Sequence, residues 1–258
     1  MHTANFRFYE ELNDFLRPDQ RKRTLSYSFR DRPGIKDAIE SLGVPHTEVE
    51  LIIVDGQSVG FDYRLADGDR AAVYPVFESL DVSSLVRLRT APLRRTAFVV
   101  DVNLGRLARY LRMCGFDTVY RNDYHDRDVA RISARDHRIV LTRDRRLLHH
   151  KTITHGYWVR ETDPRKQLAE VLDRFDLKGR VRPFLRCLDC NGTVGPVDRK
   201  DIDDRLEPLT RKYYDTFYQC PSCGKVYWEG SHFENMLRRF DAFLHVDARK
   251  GRTIPTGG

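Results

Sequence analysis

The stretch between residues 97 and 175 alternates apolar segments with amphipathic ones, and this alternation restricts the chain to few folds. The segments "FVVD", "DTVY", "RIVLT" and "GYWVR" have the length and the β-branched content of buried strands. The segments "NLGRLARYLRMCG", "DRDVARISARD" and "DPRKQLAEVLDRF" predict helices between and after them. Strands that alternate with helices form a parallel sheet covered by helices, so we predict an α/β domain over residues 96–178.

Residues 1–90 predict a separate α+β domain. Two candidate strands are followed by a helix, with Pro33 near its start and Gly43 at its end, and then by two further strands with Asp-Gly turns. This order resembles the ubiquitin-like β-grasp fold, including its small sulfur carriers. Those carriers act through a Gly-Gly at the end of the fold, whereas this domain ends in "VYPVFESL", so a carrier role is unsupported. Residues 86–95 are expected to form a linker.

Four of the five cysteines form two CxxC pairs, which are Cys187 with Cys190 and Cys220 with Cys223. Each pair suits a tight turn, so the four thiolates are expected to close a tetrahedron around one Zn²⁺ ion. A zinc site of this kind is structural, because it has no open position for chemistry. The fifth cysteine, Cys114, is expected to be a small core residue.

The net charge of +7 is unevenly distributed along the chain. The first third is slightly acidic, and the excess of arginine and lysine lies in the last two thirds, as a nucleic-acid-binding surface requires. A GC-rich genome produces the same excess of arginine. No apolar run approaches the roughly 20 residues of a membrane span, and the N-terminus lacks the apolar core of a signal peptide. We therefore expect a cytoplasmic protein without a membrane partner.

Several aspartates follow the predicted strands of the parallel sheet. Asp101 ends the strand "FVVD", Asp144 lies just beyond "IVLT", and Asp126 and Asp128 lie at the start of a helix. Ligands of parallel sheets gather at the carboxyl ends of the strands, and clustered carboxylates need a cation between them. Their oxygen atoms suit Mg²⁺ or Mn²⁺. The alternative is that Asp126, Asp128 and Asp144 are ordinary helix caps.

The helix that follows the first strand of this sheet has one apolar face and one basic face. The apolar face, expected to point to the core, consists of Leu104, Leu107, Ala108 and Leu111. Arg106, Arg109 and Arg112 fall on the opposite arc, which is either a solvated surface or a row of phosphate contacts. Arg143 and Arg145 flank the aspartate beyond "IVLT", where they either neutralise the carboxylates or contact the backbone of a nucleic acid.

Three motifs in order, "FVVDVNLGRLARYLRMCGFDT", "HDRDVARISARDHRIVLTRDRRLL" and two CxxC pairs ending in "VYWEGSH", resemble the PIN-like ribonucleases of the Mut-seven C-terminal type. The resemblance covers about residues 97–240, and an N-terminal ubiquitin-like domain is a known companion of that family. It implies a PIN-like three-layer sandwich with a central parallel sheet and metal-dependent RNA cleavage. The acidic positions of the family fall on Asp101, Asp126 and Asp144, and the candidates for a fourth carboxylate are Asp128 and Asp123.

The resemblance also implies a zinc ribbon, which we place over residues 184–246. The sequence itself predicts a helix at 232–244 and a tail at 247–258 that we expect to be disordered. The predicted function is a divalent-metal-dependent ribonuclease that acts on RNA, including structured RNA such as tRNA. The β-grasp domain is a candidate site for a protein partner. The alternative is a catalytically inactive adaptor that binds RNA or the ribosome, and mutation of Asp101 distinguishes the two.

Overall fold

The computed structural model describes residues 1–75, 96–183, 185–228 and 230. The described residues of ranges 1–103 and 123–158 form one compact unit, those of ranges 104–122 and 159–258 form a second, and each unit is described by itself. None of the described helices has the length and apolar content needed to cross a membrane. The expected linker at 86–95, helix at 232–244 and tail at 247–258 lie outside the described residues.

The N-terminal part of the first unit is a mixed five-stranded sheet with one α-helix. Its elements are β1 (His2–Phe8), β2 (Thr24–Phe29), α1 (Ile35–Ser41), β3 (Leu51–Val54), β4 (Gln57–Val59) and β5 (Arg70–Tyr74). The strand order is β2-β1-β5-β3-β4, in which β1 and β5 run parallel and the other neighbours run antiparallel. This is the β-grasp arrangement, so the predicted fold of the first domain is confirmed.

Local sequence explains why these elements form. Alternate residues of β1, among them Phe6 and Phe8, are buried, as are Ile35 and Ile39 of α1 in the same hydrophobic core. The predicted Asp-Gly turn joins β3 to β4, and both of its residues have positive φ, 45° at Asp55 and 85° at Gly56. Two-residue hairpin turns of this kind require positive φ, which Asp and Gly tolerate best.

The rest of the first unit contains three parallel strands and two helices. They are β6 (Ala97–Val100), α3 (Asp126–Asp136), β8 (Ile139–Thr142), α4 (Arg145–Leu148) and β9 (Gly156–Trp158). Strand β8 pairs in parallel with both β6 and β9. All residues of β6 and β8 are buried, and α3 packs against both strands. The predicted α/β architecture with a central parallel sheet is therefore confirmed.

The second unit contains the remaining elements. They are α2 (Gly105–Met113), β7 (Asp117–Val119), α5 (Pro164–Arg174), β10 (Gly195–Val197), α6 (Pro208–Tyr213), β11 (Phe217–Gln219) and β12 (Val226–Trp228). Helix α2 packs against α5, and the four apolar residues predicted to face the core are all buried. Strands β10, β11 and β12 form a small antiparallel sheet that carries the cysteine pairs, as a zinc ribbon would.

Candidate active site and metal centre

Asp101 lies directly after β6, at the carboxyl end of the parallel sheet. Its N–H donates to the carbonyl of Leu141 at 3.0 Å, which fixes the backbone against β8. The residue is only 4% exposed, and its carboxylate accepts the N–H of Val102 at 2.6 Å and the hydroxyl of Thr142 at 2.8 Å. Burial of a carboxylate is costly without such hydrogen bonds. A buried acid at the end of a strand is therefore a candidate functional group.

Asp144 lies beyond the end of β8 and begins α4 as its N-cap residue. Its Oδ1 accepts the N–H of Arg146 at 2.9 Å, and the Arg146 guanidinium lies 3.5 Å from both carboxylate oxygens. The expected cap is thus present. It occupies one lone pair of the carboxylate, which leaves Asp144 able to act as a ligand as well.

Thr142 joins these two aspartates, and the sequence analysis did not identify it. Its Oγ1 donates to Oδ2 of Asp101 and accepts the N–H of Asp144, both at 2.8 Å. Thr142 is completely buried at the last position of β8. The signal in the sequence was the hydroxyl residue of "LTRD", two positions before a strand-end aspartate. The structure therefore brings Asp101 and Asp144 together through one hydroxyl group.

The other two acidic candidates lie in the first turn of α3. Asp126 is exposed, and Asp128 accepts the N–H of His125 at 3.2 Å and pairs with Arg131 at 2.8 Å. The N-cap residue of α3 is His125, so the alternative interpretation of Asp126 or Asp128 as the N-cap does not hold. The reason is that Asp128, at the third position, reaches back to the cap instead of occupying it.

The three carboxylates of Asp101, Asp126 and Asp144 do not form a compact metal cage. Among the described residues, a set of three or more potential ligand atoms within 4.8 Å of one another occurs only at the cysteines. Thr142 links the Asp101 carboxylate to the backbone N–H of Asp144, and carboxylate oxygens are the type of donor that Mg²⁺ takes. Mg²⁺ is commonly held by one or two carboxylates, and waters and substrate phosphates complete its shell.

The basic residues of α2 separate into two groups. Arg106 and Arg109 are exposed, as predicted. The expectation that Arg112 lies on the same exposed arc is wrong, because it is only 5% exposed. Burial lowers the pKa of Arg112 from its ordinary value. A buried guanidinium requires several hydrogen-bond acceptors, so its surroundings define a structural role.

The acceptors around Arg112 are backbone carbonyls of the second unit. Its Nε donates to Thr118 at 2.9 Å, and one terminal nitrogen donates to Leu188 at 3.1 Å and to Asp189 at 2.8 Å. Leu188 and Asp189 are the two residues between Cys187 and Cys190. The arginine therefore ties α2 to the turn that carries the first cysteine pair.

The arginines on either side of Asp144 have different surroundings. Arg143 is half-buried, and so is Arg145. The guanidinium of Arg145 lies 3.8 Å from the ring centroid of Trp158 and 5.4 Å from that of Phe15. Such stacking is favourable for a guanidinium, so Arg145 has a structural contact besides the predicted RNA contact.

The two cysteine pairs converge on one point. The four Sγ atoms lie within 4.8 Å of one another, with 3.5 Å between Cys187 and Cys223 and 3.4 Å between Cys190 and Cys220. Zn–S bonds of about 2.3 Å in a regular tetrahedron place sulfur atoms roughly 3.8 Å apart. All four are free thiols, so the donor set fits a closed structural zinc site.

Hydrogen bonds to the sulfur atom of Cys187 support its role as a thiolate ligand of zinc. The Tyr227 hydroxyl lies 3.0 Å from Sγ of Cys187. Burial alone raises the pKa of the Cys187 thiol, but hydrogen bonds from the backbone N–H groups of Cys190 and Asp189 and from Tyr227 lower it to about 6. Burial raises the pKa of Cys190 to about 12 when no metal is bound. Burial also raises the pKa of Cys114 to about 12, in agreement with its predicted place in the core.

Comparison with protein families gives two adjacent matches. Residues 96–240 match the family model described as the Mut7-C RNAse domain, and residues 1–81 match the one described as Mut7-C ubiquitin. No curated protein and no solved structure gives a match. The first match covers more than half of the chain and includes the strand-end aspartates and both cysteine pairs, so the predicted resemblance is confirmed.

Proposed function

Since the chain belongs to the Mut7-C RNAse family and carries the ubiquitin-like domain of that family, we propose that it is a divalent-metal-dependent ribonuclease. The proposed reaction is hydrolysis of phosphodiester bonds in RNA, including structured RNA such as tRNA. The family match supports the ribonuclease class. The metal dependence and the substrate are our proposals.

The observation that carries the proposal is the buried carboxylate of Asp101, linked through Thr142 to Asp144. Asp101 and Asp144 would hold a Mg²⁺ or Mn²⁺ ion, and Asp126 is a candidate for a third ligand. When bound, such an ion activates water and stabilises the leaving oxygen. Thr142 holds the Asp101 carboxylate in one orientation, because its hydroxyl donates to Oδ2. This arrangement prepares the ligand before RNA binds.

RNA binding is assigned to the exposed arginines and to the net charge of +7. Arg106 and Arg109 are exposed on α2, and Arg146 is exposed beside Asp144. The half-buried Arg143 and Arg145 stay candidates for the same kind of contact. Contacts of this kind with phosphates position RNA without selecting a base sequence. A protein partner of the ubiquitin-like domain stays a prediction.

We assign the four cysteines to a structural Zn²⁺ ion. Four thiolate ligands close the coordination shell, so the metal would contribute to folding and not to the reaction. Free cysteines at metal-binding spacing are typical of a reducing compartment, which supports the proposed cytoplasmic location.

The second candidate function is an inactive adaptor that binds RNA or the ribosome. One observation favours it: Asp101, Asp126 and Asp144 are not gathered within 4.8 Å of one another. An adaptor needs the arginines but not the carboxylates, so the two candidates respond differently to substitution of Asp101.

The experiment measures cleavage of tRNA and other structured RNA with Mg²⁺, with Mn²⁺ or after removal of divalent ions, while elemental analysis confirms that zinc is retained. Asp101→Asn nearly preserves shape and should lower turnover on the order of 10²-fold or more, since loss of outer-shell partners alone costs about 10–100-fold. Asp128→Asn is the control and should keep turnover, with a loss of about 1 kcal/mol of stability at most, since Asp128 accepts the N–H of the N-cap residue His125. Undiminished cleavage without divalent ions, or by Asp101→Asn, would contradict the metal-dependent mechanism.

A further inference from the structure

One turn of the ubiquitin-like domain contacts the part of the RNAse domain that follows Asp144. This contact loop is the short 3-10 helix His46–Glu48. Nε2 of His46 donates to the carbonyl of Ile153 at 2.8 Å, and the hydroxyl of Thr47 donates to that of Leu148 at 3.4 Å. Oε1 of Glu48 accepts the N–H of Trp158 at 2.6 Å. The contact loop therefore holds three backbone groups of residues 148–158, which lie more than 100 positions away in the chain.

Burial shows that these contacts are not incidental surface contacts. His46, Thr47 and Glu48 are 5%, 1% and 0% exposed. Burial of a carboxylate and an imidazole is unfavourable unless both are hydrogen-bonded. Three adjacent polar side chains are buried here, and each bonds to the backbone of the RNAse domain. Directional bonds of this kind define one arrangement, whereas apolar contacts tolerate sliding.

The contact loop hydrogen-bonds to one edge of strand β9. The strand pairs with β8 on its other side, and no further described strand continues the sheet beyond it. The Glu48 carboxylate accepts the N–H of Trp158, the last residue of β9. An edge strand whose backbone is covered in this way is held in place and protected from other pairing.

An aromatic contact extends this support to the residue next to Asp144. Phe15 of the ubiquitin-like domain lies 5.4 Å from Trp158, measured between ring centroids. The guanidinium of Arg145 stacks on the Trp158 ring at 3.8 Å. Arg145 is the first residue of α4, and Asp144 is the N-cap residue of the same helix. The position of Asp144 is therefore connected to Phe15 through two side-chain contacts.

Helix α4 has only four residues, so it cannot maintain its orientation by itself. Its start is held by the bond from the N–H of Asp144 to Thr142, and its last carbonyl, that of Leu148, by Thr47. We propose that the ubiquitin-like domain is a built-in support of the nuclease, in which Thr47 and Glu48 are positioning residues for Asp144. This inference rests on the proposed function, since it gives Asp144 a role in cleavage.

The test uses full-length protein with Trp228→Phe, which leaves Trp158 as the single tryptophan of the chain. Its fluorescence emission then reports on the contact with Phe15 and Arg145. In this protein, Glu48→Leu removes the acceptor for the Trp158 N–H, whereas the conservative Glu48→Gln keeps an oxygen in place. Emission, kcat and KM for RNA cleavage are measured for all three proteins.

Glu48→Leu should shift the emission to longer wavelength and lower kcat on the order of 10- to 100-fold, as expected for a displaced reacting group. KM should stay unchanged, because the exposed arginines are untouched, and Glu48→Gln should restore both emission and kcat. A folded Glu48→Leu protein with shifted emission and normal kcat would overturn the positioning role. Unchanged emission would overturn the contact itself.

Two further measurements test the proposal if the Glu48 variants do not fold or if the parent protein is inactive. If Glu48→Leu does not fold, Thr47→Val decides, because it keeps the shape of the side chain and loses the hydroxyl that holds Leu148. It should lower kcat with unchanged KM, and a normal kcat would overturn the proposal. A parent protein that cleaves no RNA would overturn the proposed function and the role of Asp144 with it. The emission of the Glu48 variants would then still decide whether the contact loop holds residues 148–158.

Discussion

The Thr142 hydroxyl lies 2.8 Å from Oδ2 of Asp101, at the carboxyl end of two adjacent parallel strands. The same hydroxyl accepts the N–H of Asp144. One buried side chain thus sets the orientation of one candidate ligand and the backbone position of the other.

Thr142→Val is the first prediction. Valine has nearly the same shape but leaves a buried carboxylate oxygen of Asp101 and the N–H of Asp144 without their partner, so stability should fall by about 1–3 kcal/mol. Cleavage should decrease as well, because the Asp101 carboxylate loses one of the two hydrogen bonds that orient it. Thr142→Ser keeps the hydroxyl and is the matched control. Denaturant unfolding and RNA cleavage measure the two effects, and equal behaviour of the Val and Ser proteins would show that the hydroxyl is unimportant.

Loss of zinc is the second prediction. Purified protein should contain about one Zn²⁺ ion, and Cys220→Ser should remove it, whereas Cys114→Ser should retain it because Cys114 lies apart from the four ligands. Without metal, hydrogen exchange should increase at the cysteine turns and at Thr118, whose N–H donates to the Asn191 side chain at 2.8 Å. The ubiquitin-like domain should be unaffected. Zinc-free protein with native exchange at Thr118 would contradict the coupling.

Arg112→Ala, the third prediction, concerns stability. The substitution leaves the carbonyls of Thr118, Leu188 and Asp189 without their donor and should cost about 3 kcal/mol. Arg112→Lys should recover only part of this loss, because an ammonium cannot reproduce the planar fork of a guanidinium. Thermal unfolding with zinc bound is the measurement. A stability equal to that of the parent would show that these carbonyls find other partners.

The exposed arginines of α2 give the fourth prediction. Arg106→Ala and Arg109→Ala should leave stability unchanged and weaken RNA binding similarly for all sequences. Each should reduce the slope of log K against log salt concentration by about 1, as expected for one lost phosphate contact. Binding titrations at several salt concentrations measure the slope. An unchanged slope in both proteins would indicate that this face of α2 is only solvated.

Local patterns in the sequence were sufficient for most of the described helices and strands and for the cluster of four cysteines. The buried strands and the apolar face of α2 depend on periodicity, which involves only neighbouring residues. The Asp-Gly turn depends on backbone conformations that two residue types tolerate. The CxxC spacing determines which thiols share a turn, so the four cysteines were identified without knowledge of the fold.

Contacts between distant residues were decided only by the tertiary structure. Periodicity places Arg106, Arg109 and Arg112 on one arc, but only the folded chain brings the carbonyls of Leu188 and Asp189 to Arg112, and these acceptors make its burial possible. In the sequence Thr142 is an ordinary strand residue, and only the folded sheet brings its hydroxyl next to the Asp101 carboxylate. The contact loop meets residues 148–158 only after two domains have packed together, and no local pattern encodes hydrogen bonds across more than 100 residues.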